Sequence, residues 1–141
     1  PVMNPSTPAL VQASFAQVQT LGPQVATLFY ARLFEIDPDL RRLFKSDLGD
    51  QGQRLLAMLG QAVALLDRPE RLLPVLRQLG ARHQGYGVQA SHYATVGQAL
   101  LNTLAAGLGP AFTPALRAAW TEVYGVVAQT MQAGALEALP A

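Results

Sequence analysis

Apolar residues recur three and four positions apart along nearly the whole chain, and this spacing predicts helices almost throughout. Leu48, Gly52, Leu55, Leu59, Ala62 and Leu66 form one stripe. Leu72, Leu76, Leu79 and His83 form a second, and Leu116, Trp120, Val123, Val127 and Met131 a third. No alternating run argues for a strand. Prolines punctuate the pattern: Thr7-Pro8, Asp37-Pro38 and Thr113-Pro114 each set a capping side chain before a proline at the first helical position, where its missing N–H costs nothing. Ser91 reads as a fourth cap, and Pro69 as the opening of another segment. The predicted helices are 7–20, 23–36, 38–43, 48–66, 70–83, 91–108 and 113–136, joined by the short breaks LGP, KSDLG, LDRP, QGYGV and LGPAFTP. The reading is an all-α chain of about seven helices, with residues 1–141 forming a single domain around one core.

Composition excludes several classes. Only 13 % of residues are charged, against about 25 % in typical domains, and a net charge of +1 without clusters leaves no footprint for nucleic acid or an anionic membrane. Cysteine is absent. Disulfides and thiolate chemistry are thereby removed, which fits a reducing cytoplasm. The opening PVMNPSTPAL has no basic stretch followed by an apolar run, so no signal peptide is expected. Apolar runs are too short to span a bilayer.

Two positions call for explanation. Gly52 sits inside a predicted helix, where glycine costs roughly 1 kcal/mol relative to alanine. Either another helix backbone comes very close there, with Ala26 the candidate facing residue, or Gly52 marks a frayed first turn. His83 ends its leucine stripe just before Gln84-Gly85-Tyr86-Gly87 breaks the helix. The Leu79 carbonyl, one turn back, can accept from one ring nitrogen while the other points outward as a metal ligand. One histidine cannot hold a bare ion, and no carboxylate or second histidine lies at ligand spacing. The stripe therefore suits a metal that brings its own equatorial ligands and wants apolar walls, namely haem. The alternative is a core histidine with a satisfied hydrogen bond. Tyr30 on an apolar helix, Phe44 beyond a short proline-initiated helix, and Gln51 with Leu55 one turn later complete a plausible ligand pocket.

With those residues in place the chain resembles a globin over essentially its whole length. FYARLFEIDPDLRRLF is similar to the B–C region of bacterial single-domain haemoglobins and of neuroglobin. RHQGYGVQASHYATVGQALL resembles their proximal region, and LGPAFTPALRAAWTEVYGVVAQTM their last helix. The Tyr30, Gln51 and Leu55 set, with a short loop after Phe44 and no D helix, looks most like bacterial globins of the Hell's Gate type.

The resemblance implies haem b as cofactor, His83 as proximal iron ligand, and Phe44 packed on the porphyrin. It puts Gln51, Leu55, Leu79, Val88 and Tyr93 around the cofactor and Tyr30 with Gln51 beside a bound O2, CO or NO. Arg54 is either a propionate partner or a solvated arginine. Tyr93 and Tyr124 match proximal-side tyrosines of bacterial haemoglobins, or are simply packed with satisfied hydroxyls. His92 reads as exposed or capping. Two hydrogen-bond donors over the ligand imply tight oxygen binding, and Gln51, unlike the histidine of neuroglobin at that position, leaves ferrous haem five-coordinate. Globins of this kind also convert O2 and NO to nitrate, which needs an electron source. Flavohaemoglobins carry a reductase domain after the globin, whereas this sequence ends at Ala141, so an external reductase is expected. Their proximal glutamate is matched here by Ala135, with Glu137 expected to point elsewhere, which weakens any peroxidase tendency. A haem-based sensor ranks behind oxygen binding and nitric oxide dioxygenation.

Overall fold

The computed structural model describes residues 3–44, 47–85 and 87–137. Lys45 and Ser46 of the KSDLG break, and Tyr86 of the QGYGV break, lie outside them. Six α-helices follow one another among the described residues: α1 (Thr7–Gln19), α2 (Gln24–Ile36), α3 (Leu48–Ala64), α4 (Pro69–Gly85), α5 (Ala90–Leu108) and α6 (Pro114–Glu137). A 3-10 segment, Pro38–Leu43, links α2 to the approach to α3, and a shorter one, Gly109–Ala111, precedes α6. The fold is all-α, with no strand among the described residues. No helix among them is long and apolar enough to cross a membrane.

Local chemistry sets most of the helix ends. Asp37 accepts from the Asp39 N–H at 3.1 Å ahead of Pro38, and Thr113 Oγ1 accepts from the Leu116 N–H at 3.2 Å ahead of Pro114. Thr7 is not a cap. It is the first, buried residue of α1, because Asn4 serves that end: its carbonyl accepts from Thr7 and its side-chain oxygen from the Ser6 N–H and hydroxyl. Ser91 is likewise inside α5. Gln89 is the cap, and its N–H donates to His92 Nδ1 at 3.0 Å in a reciprocal box, which gives His92 the capping role. The fourth helix begins at Pro69, as the proline predicted, but runs to Gly85 instead of stopping at His83.

Packing divides the interior in two. One apolar cluster joins α1, the C-terminal half of α3, α4, α5 and α6 around Val11, Phe15, Leu72, Leu76 and Trp120. The other joins α2, the 3-10 segment Pro38–Leu43, the start of α3 and part of α5 around Phe29, Tyr30, Leu33 and Leu40. Leu100 packs against both. A small domain ordinarily has one contiguous core. Among the described residues α4 packs chiefly on α6, and α2 chiefly on α5.

Gly52 is buried where α3 crosses α2. A Cβ built on it would lie 2.7 Å from the Ala26 Cβ and 3.8 Å from the Tyr30 ring. Of the two readings of Gly52, close approach is the one the fold uses, with Ala26 as the facing residue.

Candidate functional site

His83 lies in the last turn of α4, half-buried, with Nδ1 2.8 Å from the Leu79 carbonyl oxygen. A carbonyl only accepts, so Nδ1 carries the proton and Nε2 the lone pair. Burial holds the imidazole below its usual histidine range, the Leu79 bond opposes this, and the neighbouring Arg82 charge adds to the lowering. The ring is therefore neutral at pH 7, the form in which imidazole ligates a metal.

The glycines after His83 lock its backbone. Gly87 takes φ +90°, its N–H donates to the Gln84 carbonyl, and the Val88 N–H donates to the His83 carbonyl, both at 3.2 Å. These are the two bonds of a Schellman cap with glycine at the left-handed position. Gly87 also meets the other half of the molecule, since a Cβ there would touch the Leu43 side chain at 3.9 Å. Val88 is partly buried on the first cluster, beside the buried Leu79 and Tyr93.

The second cluster presents the remaining candidates. Tyr30 is 5 % exposed, with its ring edge-on to Phe29 and Phe44 (both 5.3 Å between centroids) and stacked on Phe34 (6.0 Å). Burial pushes the Tyr30 hydroxyl above its usual range and the Arg54 guanidinium pulls it back, so it remains a donor at neutral pH. Phe44 follows the 3-10 segment Pro38–Leu43 in extended backbone, partly buried beside Leu55. Gln51 is half-buried in the first turn of α3, which Asp47 caps by accepting from the Asp50 N–H at 3.3 Å. Arg54 is exposed, yet its charge acts on the Tyr30 hydroxyl.

Thus Leu79, Val88 and Tyr93 fall on one side of the divided core, and Tyr30, Phe44 and Leu55 on the other. Tyr124 is a brace: its hydroxyl donates to the Tyr93 carbonyl at 2.6 Å, and its ring fills the notch left by Gly97. Glu137 is exposed at the end of α6, and Ala135 is partly buried. Sequence reasoning passed over Arg41, which donates to the Phe44 carbonyl at 2.8 Å and lies over the Phe34 ring at 5.8 Å. The four-residue spacing from Tyr30 to Phe34 was the readable sign of this aromatic cluster. Two shallow surface depressions, near Asn4 and Glu122 and near Arg77 and Gln129, contain none of the candidate residues.

No group of three or more metal-ligating side chains converges among the described residues. The side chains suit a flat apolar group carrying its own metal: partly buried Leu43, Phe44, Leu48, Leu55 and Val96 belong to the second cluster, and the neutral His83 stands one turn beyond Leu79 of the first.

Comparison with known proteins agrees. The Globin family model matches residues 27–131. The chain is 34 % identical over 133 residues to a flavohemoprotein of Chromobacterium violaceum and 35 % identical over 133 residues to one of Bordetella parapertussis. Each alignment covers 92 % of this chain but 33 % of the relative, so the chain spans about a third of the length of these proteins. Among solved structures, an engineered carbene transferase made from a Rhodothermus marinus protein described as a nitric oxide dioxygenase superposes with a TM-score of 0.86. It is 29 % identical, over 96 % of this chain and 95 % of that one. The chain belongs to the globin family. Haem is its cofactor, and the residues just described fit that group.

Proposed function

We propose that residues 1–141 act as one globin domain that holds haem b through His83 Nε2 and reversibly binds O2, and also CO and NO, between Tyr30 and Gln51. When bound, haem supplies an iron that takes up diatomic gases and changes oxidation state. The Nδ1 bond of His83 to the Leu79 carbonyl is the observation that carries the reading, because it fixes both the tautomer and the ring orientation a ligand needs. Phe44, Leu55, Leu79, Val88 and Tyr93 form the apolar walls, and Arg54 serves a propionate at the rim. Tyr30 is buried and protonated, so its hydroxyl donates to the gas, and the Gln51 amide is the second donor.

Two neutral donors at about 0.5–1.5 kcal/mol each slow ligand release by roughly one to two orders of magnitude, and O2, which gains more negative character than CO, benefits more. Gln51 is a poor metal ligand, so with haem bound it would act as a hydrogen-bond donor to the gas and would not compete for the iron. The test is stopped-flow O2 release from the haem-loaded protein. Tyr30→Phe is expected to accelerate it roughly two- to tenfold, and an unchanged rate removes Tyr30 from the mechanism.

A second reading, nitric oxide dioxygenation, is favoured by the names of the flavohemoprotein relatives and of the structural neighbour. Here Tyr30 and Gln51 orient O2 for reaction with NO to give nitrate, and a reductase supplied as a partner restores the ferrous state. Sustained nitrate formation with a reductase and NAD(P)H supports it, and a single turnover that leaves oxidised protein refutes it.

A further inference from the structure

Gly80 and Gly134 mark an unusually close crossing of α4 and α6. A Cβ on Gly80 would collide with the Met131 backbone carbonyl, and a Cβ on Gly134 with the Arg77 carbonyl. Residues 80 and 77 pair with 131 and 134 in reversed order, so the helices run antiparallel and touch backbone to backbone over about one turn. Both glycines are buried, whereas Gly85 in α4 and Gly125 in α6 have nothing within 4 Å of an added Cβ. Since the obstacles are backbone atoms, no side-chain rotation relieves them, and a larger residue must move a helix.

That crossing adjoins the histidine. Leu79, beside Gly80, is the carbonyl that holds His83 Nδ1, and α6 is the main packing partner of α4. The Schellman cap at Gly87 stiffens the other side of His83. A shift at Gly80 therefore passes through one helical turn to the imidazole with little to absorb it.

We infer that Gly80 and Gly134 are positioning residues that set where His83 presents Nε2 to the haem iron. This rests on the reading of His83 as axial ligand. The experiment uses haem-loaded protein and reads the ferrous iron–histidine stretching band by resonance Raman, together with the rate of haem loss to an acceptor apoprotein. Gly80→Ala and Gly134→Ala are expected to shift the band and to speed haem loss about fivefold or more, the smaller end of what overpacking does; Gly125→Ala is expected to do neither. In a His83→Gly background with added imidazole, where the iron is untethered from α4, Gly80→Ala is expected to change nothing. A folded Gly80→Ala protein with an unmoved band and unaltered haem loss overturns the inference, as does an effect that persists in the untethered background. Should Gly80→Ala fail to take up haem, recovery of haem binding in Gly80→Ala/His83→Gly with imidazole supports the inference, and no recovery contradicts it. If His83→Gly itself leaves the band in place, the axial-ligand reading falls first, which separates the two failures.

Discussion

Trp120 is buried to 1 % exposure, and its indole N–H donates to Ser14 Oγ at 2.9 Å, joining α6 to α1. The Ser14 hydroxyl has the Leu10 and Val11 carbonyls within reach, each at 3.0 Å, so it accepts from Trp120 while donating within its own helix. Ser14→Ala strands the indole N–H in a dry core, which costs about 1–3 kcal/mol. Urea denaturation of the haem-free chain measures this, and Ser14→Ala matching the parent chain would show that water reaches the indole. At the candidate site, the proposed function rests most on His83, whose apolar stripe and Leu79 acceptor are both readable from the sequence. The Schellman cap was readable only as a break. The helix runs two residues past His83 because Gly85 has open space around it and Gly87, not Gly85, adopts the left-handed conformation.

At the scale of elements, helix crossings decide which side chains meet. Gly52 lets α3 approach α2 closely enough to bring Gln51 near the helix that carries Tyr30. Gly52→Ala would press its methyl against Ala26, and overpacking of this kind costs about 1–3 kcal/mol. Gly125→Ala, in open space on α6, should instead stabilise by about 0.5–1 kcal/mol through helix propensity alone. Chemical denaturation of the two variants is expected to move in opposite directions; a shift of the same sign would mean that the α2–α3 crossing is slack. The Gly52 contact was legible because mid-helix glycine is costly and demands a reason. The Gly80 and Gly134 crossing was not, since both lie near helix ends, where glycine looks like punctuation, and their partners are backbone carbonyls some fifty residues away. Caps were misassigned for a similar reason. Thr7 and Ser91 have the preferred chemistry, but Asn4 and the Gln89–His92 pair offer better-placed partners.

Across the whole molecule, a cofactor that binds the folded chain is a structural component as well as a functional one. A group binding the folded chain alone stabilises it by about 2.7 kcal/mol at a hundredfold excess over its dissociation constant. Haem loading is therefore expected to raise the thermal midpoint, and no rise would mean that haem does not bind the folded chain in preference to the unfolded one. The titration behaviour also belongs to this scale. Tyr30, Tyr93 and Tyr124 are all held above the usual tyrosine value of 10.0, chiefly by burial. For groups raised on folding, the associated stability is complete below the unfolded value and is lost as pH climbs through the folded ones. Denaturation midpoints of the haem-free chain should be little affected by these groups between pH 7 and about 9 and fall progressively above about 10; a flat profile to pH 11 would show that the hydroxyls are better solvated than their positions indicate. All-α architecture and most helix spans were written in the apolar spacing. The division of the core was not, because each stripe reports which face is buried and not which neighbour it lies against.

The most direct test is an anomalous-difference map at the iron edge from crystals of the haem-loaded protein. A single iron peak at bonding distance from His83 Nε2, with the Tyr30 hydroxyl and Gln51 amide across the porphyrin, is the expected result. Iron bound by any other side chain would contradict it.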